Sequence, residues 1–228
     1  MNLCVIPARG GSKRIPRKNI KVFLGIPMIA HAIEVAIASG LFEHIVVSTD
    51  DNEIAKIAVK HGAKVPFMRE KDLADDHTPT APVIAHAILE CTRYGWSIDK
   101  VCCIYPCVPL LHTEDLKACL DLLEKSQAPY SFPVTEFPSA IQRALKRDKN
   151  YKLTPFYPEN ALSRSQDLET AYYDAGQFYW GTKNAWLSNA HAHSNGVGLA
   201  IPRWRVVDID TPEDWQQAER LVKANSRA

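Results

Sequence analysis

The chain opens on a short apolar run, residues 3–7, that stops at Pro7 and is followed by the glycines Gly10 and Gly11. A run of that length bounded by turn residues predicts a buried strand. Apolar runs and amphipathic stretches then alternate. Residues 28–39 carry apolar positions at helical spacing and end at Gly40; 44–48 predict a second strand; 52–61 predict a helix closed by Gly62; 64–68 predict a third strand. The rhythm continues with a helix over 80–94 capped by Thr78 or Thr80, a strand over 101–105, a helix over 113–124 with Thr113 as N-cap, and a strand over 130–134. Further strands are predicted over 177–181, 198–201 and 206–209. At Thr211-Pro212-Glu213-Asp214 the threonine caps, the proline takes the first turn and the acids face the dipole of a last helix running to about residue 222.

Strand and helix alternating in this way predict an α/β fold with a mostly parallel sheet wrapped by helices. Ligands of such sheets bind beyond the carboxyl ends of the strands, so the segments after Pro7, Asp50, Met68 and Tyr105 are where chemistry is expected. The rhythm breaks over 135–174, which is polar, rich in Pro and Arg and weakly periodic. A structureless loop of about 40 residues is unusual inside a compact domain. We therefore expect a small inserted extension with its own hairpin, docking on a partner subunit.

Composition narrows the class. With 228 residues, 46% hydrophobic and 23% charged, the chain reads as one soluble domain over 1–228. A net charge of +1 excludes a broadly basic nucleic-acid coat and an acidic tail. The N-terminal apolar run is too short for a signal core, and the stretch 28–38 is interrupted by His31 and Glu34. It falls short of the roughly 20 apolar residues a spanning helix needs, so no membrane partner is expected and the expected location is cytoplasmic. Cys4, Cys91, Cys102, Cys103, Cys107 and Cys119 sit mostly inside apolar segments and show no paired zinc spacing, so they read as reduced and structural. His191-Ala192-His193 reads as an exposed turn rather than a metal clip.

Charge segregation carries the first chemical signal. No Asp or Glu precedes Glu34, while Arg9, Lys13, Arg14, Arg17, Lys18 and Lys21 cluster with Gly10, Gly11 and Ser12 directly after a strand. Glycines let the backbone wrap a ligand, backbone N–H groups and a hydroxyl hold phosphate oxygens, and the cations neutralise them. The combination suits a polyphosphate but matches neither GxxxxGK[ST] nor GxGxxG; the alternative is a solvated basic turn. The basic residues form one loop with no basic face elsewhere, which argues against nucleic acid. The second signal is Asp208-Ile209-Asp210: alternate residues of a strand put both carboxylates on one side, a hard-oxygen site for Mg²⁺, unless Asp210 only caps the helix. The third is Arg164-Ser165-Gln166-Asp167 followed by Tyr172-Tyr173-Asp174-Ala175-Gly176, a polar and aromatic mixture that either binds a hydroxylated ligand or forms a packed loop.

The run Ile6-Pro7-Ala8-Arg9-Gly10-Gly11-Ser12-Lys13-Arg14-Ile15-Pro16-Arg17-Lys18-Asn19 resembles the signature loop of the cytidylyltransferases that activate nonulosonic, sialic-acid-like sugars. The likeness continues through Ser48-Thr49-Asp50, Arg69, Leu73-Ala74-Asp75-Asp76 and Asp208-Ile209-Asp210-Thr211, in order and over nearly the whole chain. Three segments are most similar to the pseudaminic acid branch: 73–76, 102–105 and 165–176. Tyr105 stands where sialic acid enzymes have a sugar-contacting Gln, Leu111 where they have an Arg, and Tyr173-Asp174-Ala175-Gly176 where they have Arg-Pro-Asn-Gly. The cytidine end thus resembles the family while the sugar end departs from its sialic acid members.

The resemblance implies a Rossmann-like, three-layer nucleotidyltransferase fold that moves CMP from CTP to the anomeric hydroxyl of a nonulosonic acid for surface glycan or flagellin glycosylation. It implies Arg9, Ser12, Lys13 and Lys18 on the triphosphate and Asn19, Arg69 and Thr80 on the nucleoside. Tyr105, Arg164, Gln166, Tyr172 and Asp174 are implied at the sugar, and Asp208 and Asp210 on Mg²⁺, with Mn²⁺ as substitute. Arg9, Lys18 and Asp210 would be catalytic. A homodimer is implied, each subunit lending residues 135–174 to the other's site. CMP-sialate, CMP-legionaminate and CMP-Kdo synthesis use the same chemistry; a nucleotide-binding regulator without catalysis is the alternative of another class.

Overall fold

Side chains along Asn2–Pro7 (β1) alternate between two cores. Cys4 and Ile6 face one, Leu3 and Val5 the other, and all four are fully buried. That two-sided burial is why the sequence shows a continuous apolar run there rather than an alternating one. The computed structural model describes residues 1–75 and 78–225. After β1 come β2 (Val22–Phe23), β3 (Ile26–Pro27), α1 (Met28–Ser39), β4 (His44–Ser48), α2 (Asn52–Lys60), α3 (Thr80–Arg93), β5 (Lys100–Ile104), α4 (Thr113–Ser126) and β6 (Tyr130–Glu136). The second half adds β7 (Leu145–Arg147), β8 (Leu153–Pro155), β9 (Tyr172–Asp174), β10 (Phe178–Thr182), α5 (Lys183–Leu187), α6 (Ala192–Asn195), β11 (Gly196–Ala200) and α7 (Pro212–Asn225).

The central sheet runs β11-β6-β10-β5-β1-β4. β1 lies parallel to β4 and β5, and β11 lies parallel to β6; β10 is antiparallel to both its neighbours. α1, α2 and α4 pack one face around Ile33, Ile54, Leu116 and Trp180, while α3 and α5 pack the other around Ile84, Ile88, Tyr130 and Trp186. The result is the three-layer α/β arrangement expected from the rhythm. Each large side chain buried in these layers stabilises the fold by about 1.5–3 kcal/mol. A third cluster, Ile15, Phe23, Met28, Ile209, Trp215 and Ala218, seats α7 against the loop that follows β1.

β6 changes partner along one edge. Its first residues pair with β10, and Val134, Thr135 and Glu136 pair with β9. Between β9 and β10, Gly176 adopts φ +62°, a left-handed conformation that favours glycine, so the chain steps out of the sheet and returns. The expected hairpin within 135–174 is present as β7 and β8, with Asp148 accepting from the backbone N–H groups of Asn150 and Lys152 across the turn.

Four local expectations are corrected. Residues 64–68 form only a single bridge, Lys64 to Val46, because Pro66 has no N–H to continue a ladder. Residues 206–209 are not a strand: the carbonyls of Arg205 and Ile209 are taken by the side chains of Gln177 and Lys18. Thr113 is the first residue of α4, after His112 at the N-cap. Pro79 precedes α3, while Thr78 Oγ1 donates to Asp75 and the Thr80 hydroxyl faces Tyr105. The Thr211 cap is present as a reciprocal box: Asp214 N–H donates to Thr211 Oγ1, and the Asp214 carboxylate accepts from the N–H groups of Asp210 and Thr211. All six cysteines are free, and no helix among the described residues is long and apolar enough to cross a membrane.

Candidate active site

β1, β4 and β5 all end on the same rim of the sheet, and the loops that leave them build two adjoining clefts. The first is lined by Arg9, Ser12, Lys13, Arg14, Lys18, Asn19, Arg69, Asp75, Thr80 and Tyr105, among others. All seven residues expected on the nucleotide are therefore together. The backbone crossing that makes this possible is at Gly10, whose N–H donates to Asp50 Oδ1 at 2.9 Å. A Cβ there would stand 2.8 Å from Asp51 Oδ2, so only glycine fits.

The basic loop divides its charges between two tasks. Arg17 holds φ +56° and turns away from the cleft to pair with Asp51 at 2.5 Å and with Glu53 at 2.5 Å. That guanidinium holds the Asp51 carboxyl down to about 2. Asp51 also caps α2, accepting from the N–H groups of Glu53 and Ile54. Lys21 lies over the Trp215 ring at 4.7 Å. These two cations anchor the loop. Arg9, whose Nη1 donates to the Asp75 carbonyl at 2.7 Å, Lys13 and Lys18 remain on the cleft wall. Asp76, part of the motif beside Asp75, lies outside the described residues.

Asn19 is buried and bridges the loop: its Nδ2 donates to the Arg9 carbonyl at 2.9 Å, and its Oδ1 accepts from Cys107 Sγ at 3.4 Å. Arg69 is buried against β4, with Nε donating to Ser48 Oγ at 3.1 Å and Nη2 donating to the Ser48 carbonyl. Burial, aided by the Arg9 charge, lowers its guanidinium to about 10, leaving it charged near neutrality and receptive to an anion. Thr80 Oγ1 and Tyr105 Oη are 3.0 Å apart. Burial raises the Tyr105 phenol to about 12, so it stays protonated.

The second cleft, about 570 Å³, is lined by Tyr105, Pro106, Cys107, Tyr173, Asp174, Ala175, Gly176, Val206, Val207, Asp208 and Ile209, and shares Lys18, Asn19, Tyr105 and Pro106 with the first. Lys18 sits at the junction, Nζ donating to the Ile209 carbonyl at 2.6 Å and lying 3.3 Å from Asp210 Oδ1. Asp210 is also held by Arg14 at 2.7 Å, and the helix cap is formed by Thr211 and Asp214, so the capping alternative for Asp210 falls away. Asp208 presents its carboxylate to the cleft wall; desolvation there, then the neighbouring Asp210 charge, raises its pKa. The Cys107 thiol is raised to about 12 by burial, which makes it a hydrogen-bond donor and not a nucleophile.

Of the five residues expected at the sugar, Tyr105 and Asp174 line this cleft. Arg164, Gln166 and Tyr172 line neither cleft of their own chain: Arg164 pairs with Asp167 on the surface at 2.8 Å, and Tyr172 is exposed beside β6. The extension that carries them leaves the sheet at the carboxyl end of β6 and returns at β9. The sequence reading missed Tyr179 and His193, which both reach Asp174, and the buried Arg205–Asp115 pair that seats the segment before Asp208. Alternation inside 177–181 does place Tyr179 opposite Phe178 and Trp180. In sequence His193 reads only as part of an exposed turn, because α6 is a single turn whose contact with Asp174 shows only in its packing.

Comparison with known proteins agrees with this geometry. The family model described as cytidylyltransferase matches residues 3–194. A pseudaminic acid cytidylyltransferase of Campylobacter jejuni is 45% identical over 98% of this chain and 97% of its own. A post-translational flagellin modification protein B of Campylobacter coli is 50% identical over 97% of this chain and 94% of its own. The solved structure of a CMP:2-keto-3-deoxy-manno-octonic acid synthetase complexed with CTP shares the fold, with a TM-score of 0.71 at 16% identity, covering 98% of this chain and 99% of that one. With a polyphosphate-suited cleft at the rim of a three-layer sheet, and a family model and near full-length relatives agreeing, the chain belongs to the cytidylyltransferase family.

Proposed function

We propose that the protein transfers CMP from CTP to the anomeric hydroxyl of pseudaminic acid, a nonulosonic acid, and releases pyrophosphate. The observation that carries this reading is the junction: two clefts of different character meet at Lys18, Asn19, Tyr105 and Pro106. The basic cleft takes the nucleotide and the second takes the sugar, so the α-phosphorus and the attacking oxygen meet beside Lys18. The new bond joins the anomeric oxygen to the α-phosphorus, and the bond to the β-phosphate bridge breaks. Arg9, Ser12 and Lys13 hold the phosphates, Arg69, Asn19 and Thr80 the nucleoside end, and Lys18 faces the charge that grows during transfer. Catalysis is then mostly positioning and charge neutralisation.

Asp208 and Asp210 fit a divalent cation. Both donors are carboxylates, and Asp208 has no hydrogen-bond or ion-pair partner among the described residues; burial and then the Asp210 charge raise its pKa. Two carboxylates are short of a protein cage, and no larger group of His, Cys, Asp or Glu occurs among the described residues. That matches Mg²⁺, which takes one or two carboxylates and completes its shell with substrate phosphates and water. When bound, the cation supplies charge neutralisation on phosphate and sugar oxygens.

The exposed apolar side chains of the extension support a homodimer, and we place the enzyme in the cytoplasm. Phe137, Leu145, Leu153, Phe156, Tyr157 and Leu162 all lie on the extension, and Leu162 is 99% exposed. A patch of that kind marks an interaction surface. Its occupant is a second copy, into whose sugar cleft the extension would carry Arg164, Gln166 and Tyr172. The product would serve surface glycan or flagellin glycosylation; the name of the Campylobacter coli relative indicates flagellin modification for that protein.

The test is pyrophosphate release with CTP and Mg²⁺ across a panel of nonulosonic acids. We expect pseudaminic acid to be preferred over N-acetylneuraminic acid by at least ~10²-fold in kcat/KM, a gap of about 2.7 kcal/mol. Equal use of both sugars would remove the branch assignment. CTP binding without release for any sugar would replace the enzyme by a binding protein.

A further inference from the structure

Asp174 is the acidic side chain of the second cleft that the metal carboxylates do not account for. It ends β9 at the point where Gly176 steps out of the sheet, and its side chain is 23% exposed, into the cleft. Three donors from three places converge on it. The Gly176 N–H donates to Oδ1 at 2.8 Å, the Tyr179 hydroxyl from β10 donates to Oδ2, and His193 Nε2 from α6 lies 2.7 Å from Oδ2. His193 is itself oriented by rings: it meets Phe132 edge-on with centroids 5.4 Å apart at 79°, and Tyr179 at 6.3 Å and 67°. Burial and the Asp174 charge push the Tyr179 phenol far above its ordinary range, so it remains a donor at any working pH. Tyr179 also meets Tyr105 edge-on at 5.9 Å, which ties the cluster to the residue shared by both clefts.

A carboxylate has about four acceptor positions, and the protein fills three of them here. One is left, on a side chain that lines the cleft. Resting on the substrate reading above, we propose that His193 and Tyr179 are positioning residues that fix Asp174 so that its remaining acceptor position reads a single hydrogen-bond donor on the sugar, an amide N–H or a hydroxyl. Such an acceptor selects by loss: a sugar without the donor leaves a desolvated carboxylate position unpaired, and sites that hydrogen-bond their substrate reject analogues lacking the group far better than apolar pockets do. Neither residue lines the nucleotide cleft, and Tyr179 meets it only through the edge of the Tyr105 ring, so the effect falls chiefly on the sugar.

The experiment measures KM for CTP and for pseudaminic acid separately, by pyrophosphate release, in the wild type and in His193→Ala, His193→Gln and Tyr179→Phe, with melting temperature recorded for each. His193→Ala and Tyr179→Phe should each raise the sugar KM about tenfold and leave the CTP KM within about twofold. His193→Gln, which returns an N–H donor at similar reach, should recover most of the loss, a result that generic damage to α6 would not give. Wild-type turnover with an unchanged sugar KM in both His193→Ala and Tyr179→Phe overturns the positioning role and leaves the substrate reading standing. So does an equal rise in both KM values, or a loss that His193→Gln does not repair. A wild type that uses no nonulosonic acid fails at the earlier step and takes this inference with it.

Discussion

The two clefts meet at one lysine but are built on different plans. The nucleotide cleft draws most of its polar groups from a single loop of consecutive residues after β1, with Arg69 and Thr80 closing it. The second cleft is assembled from segments 18–19, 105–107, 173–176 and 206–209, which are far apart in the chain. A loop that binds through its own backbone and its own cations carries its chemistry in local sequence. A cleft built from four segments carries it in packing. The difference teaches that one can be retained while the other is retuned: Tyr105, Tyr173 and Asp174 can change without moving the glycines or the anchoring Arg17.

The sharpest way to break the comparison is the residue both clefts share. Lys18→Ala should lower kcat/KM for both substrates by about 10²–10³-fold, as for removing an electrostatic contact to the transition state. Steady-state kinetics at fixed saturating partner substrate will show it, and a loss confined to CTP would place Lys18 in one cleft only. Asp210→Asn comes next. The cap of α7 belongs to Thr211 and Asp214, so the melting temperature should hold while turnover falls about 10²-fold. Chelation of wild type by EDTA should stop turnover and added Mg²⁺ or Mn²⁺ restore it; turnover that persists in EDTA would falsify the metal role.

The anchoring half of the loop predicts a change in stability instead. Asp51 is depressed to about 2 by Arg17, so its contribution is present above the unfolded value near 3.9 and is lost as pH falls toward 2. Asp51→Asn should remove about 2 kcal/mol of stability at neutral pH, and the gap to wild type should close between about pH 4 and pH 2 in urea titrations. A constant gap across that window would detach the pair from the loop's stability. The smallest effect belongs to Tyr105→Phe. Losing the bond to Thr80 should cost about 1 kcal/mol, near fivefold in the KM for CTP, because that hydroxyl reaches into the nucleotide cleft while the ring lines the sugar cleft.

The layers were legible because β1, β4 and β5 are buried on both faces and α1, α2 and α4 present periodic faces to them. That Arg9, Ser12, Lys13, Lys18 and Asn19 would line one cleft was legible because their loop is contiguous. What escaped was set by single tertiary contacts. Pro66 ends a strand that hydropathy alone continues, and Lys18 and Gln177 claim backbone carbonyls that would otherwise serve a strand over 206–209. The six cations of the basic loop looked alike in sequence, yet only packing shows that Arg17 and Lys21 hold the loop while Arg9, Lys13 and Lys18 face the cleft. His193 reaches Asp174 only because α6 folds back against Phe132.

The contact between Lys18 and the Ile209 carbonyl joins residues 191 positions apart. For a chain emerging from the ribosome, this makes the timing of assembly unequal. β1, β4, β5 and the loop after β1 are all synthesised in the first half, so the nucleotide cleft has its parts early. Asp208 and Asp210 arrive about a hundred residues after β5, and α7 then seats on Phe23 through Trp215, another contact of high sequence separation. Closure over such a span adds only about 0.6 kcal/mol for each doubling of length, so it weighs little on final stability, but contacts of high sequence separation slow folding. On the function proposed above, an unfinished chain would hold a nucleotide without being able to spend it, and the capacity for transfer would come only once α7 has docked.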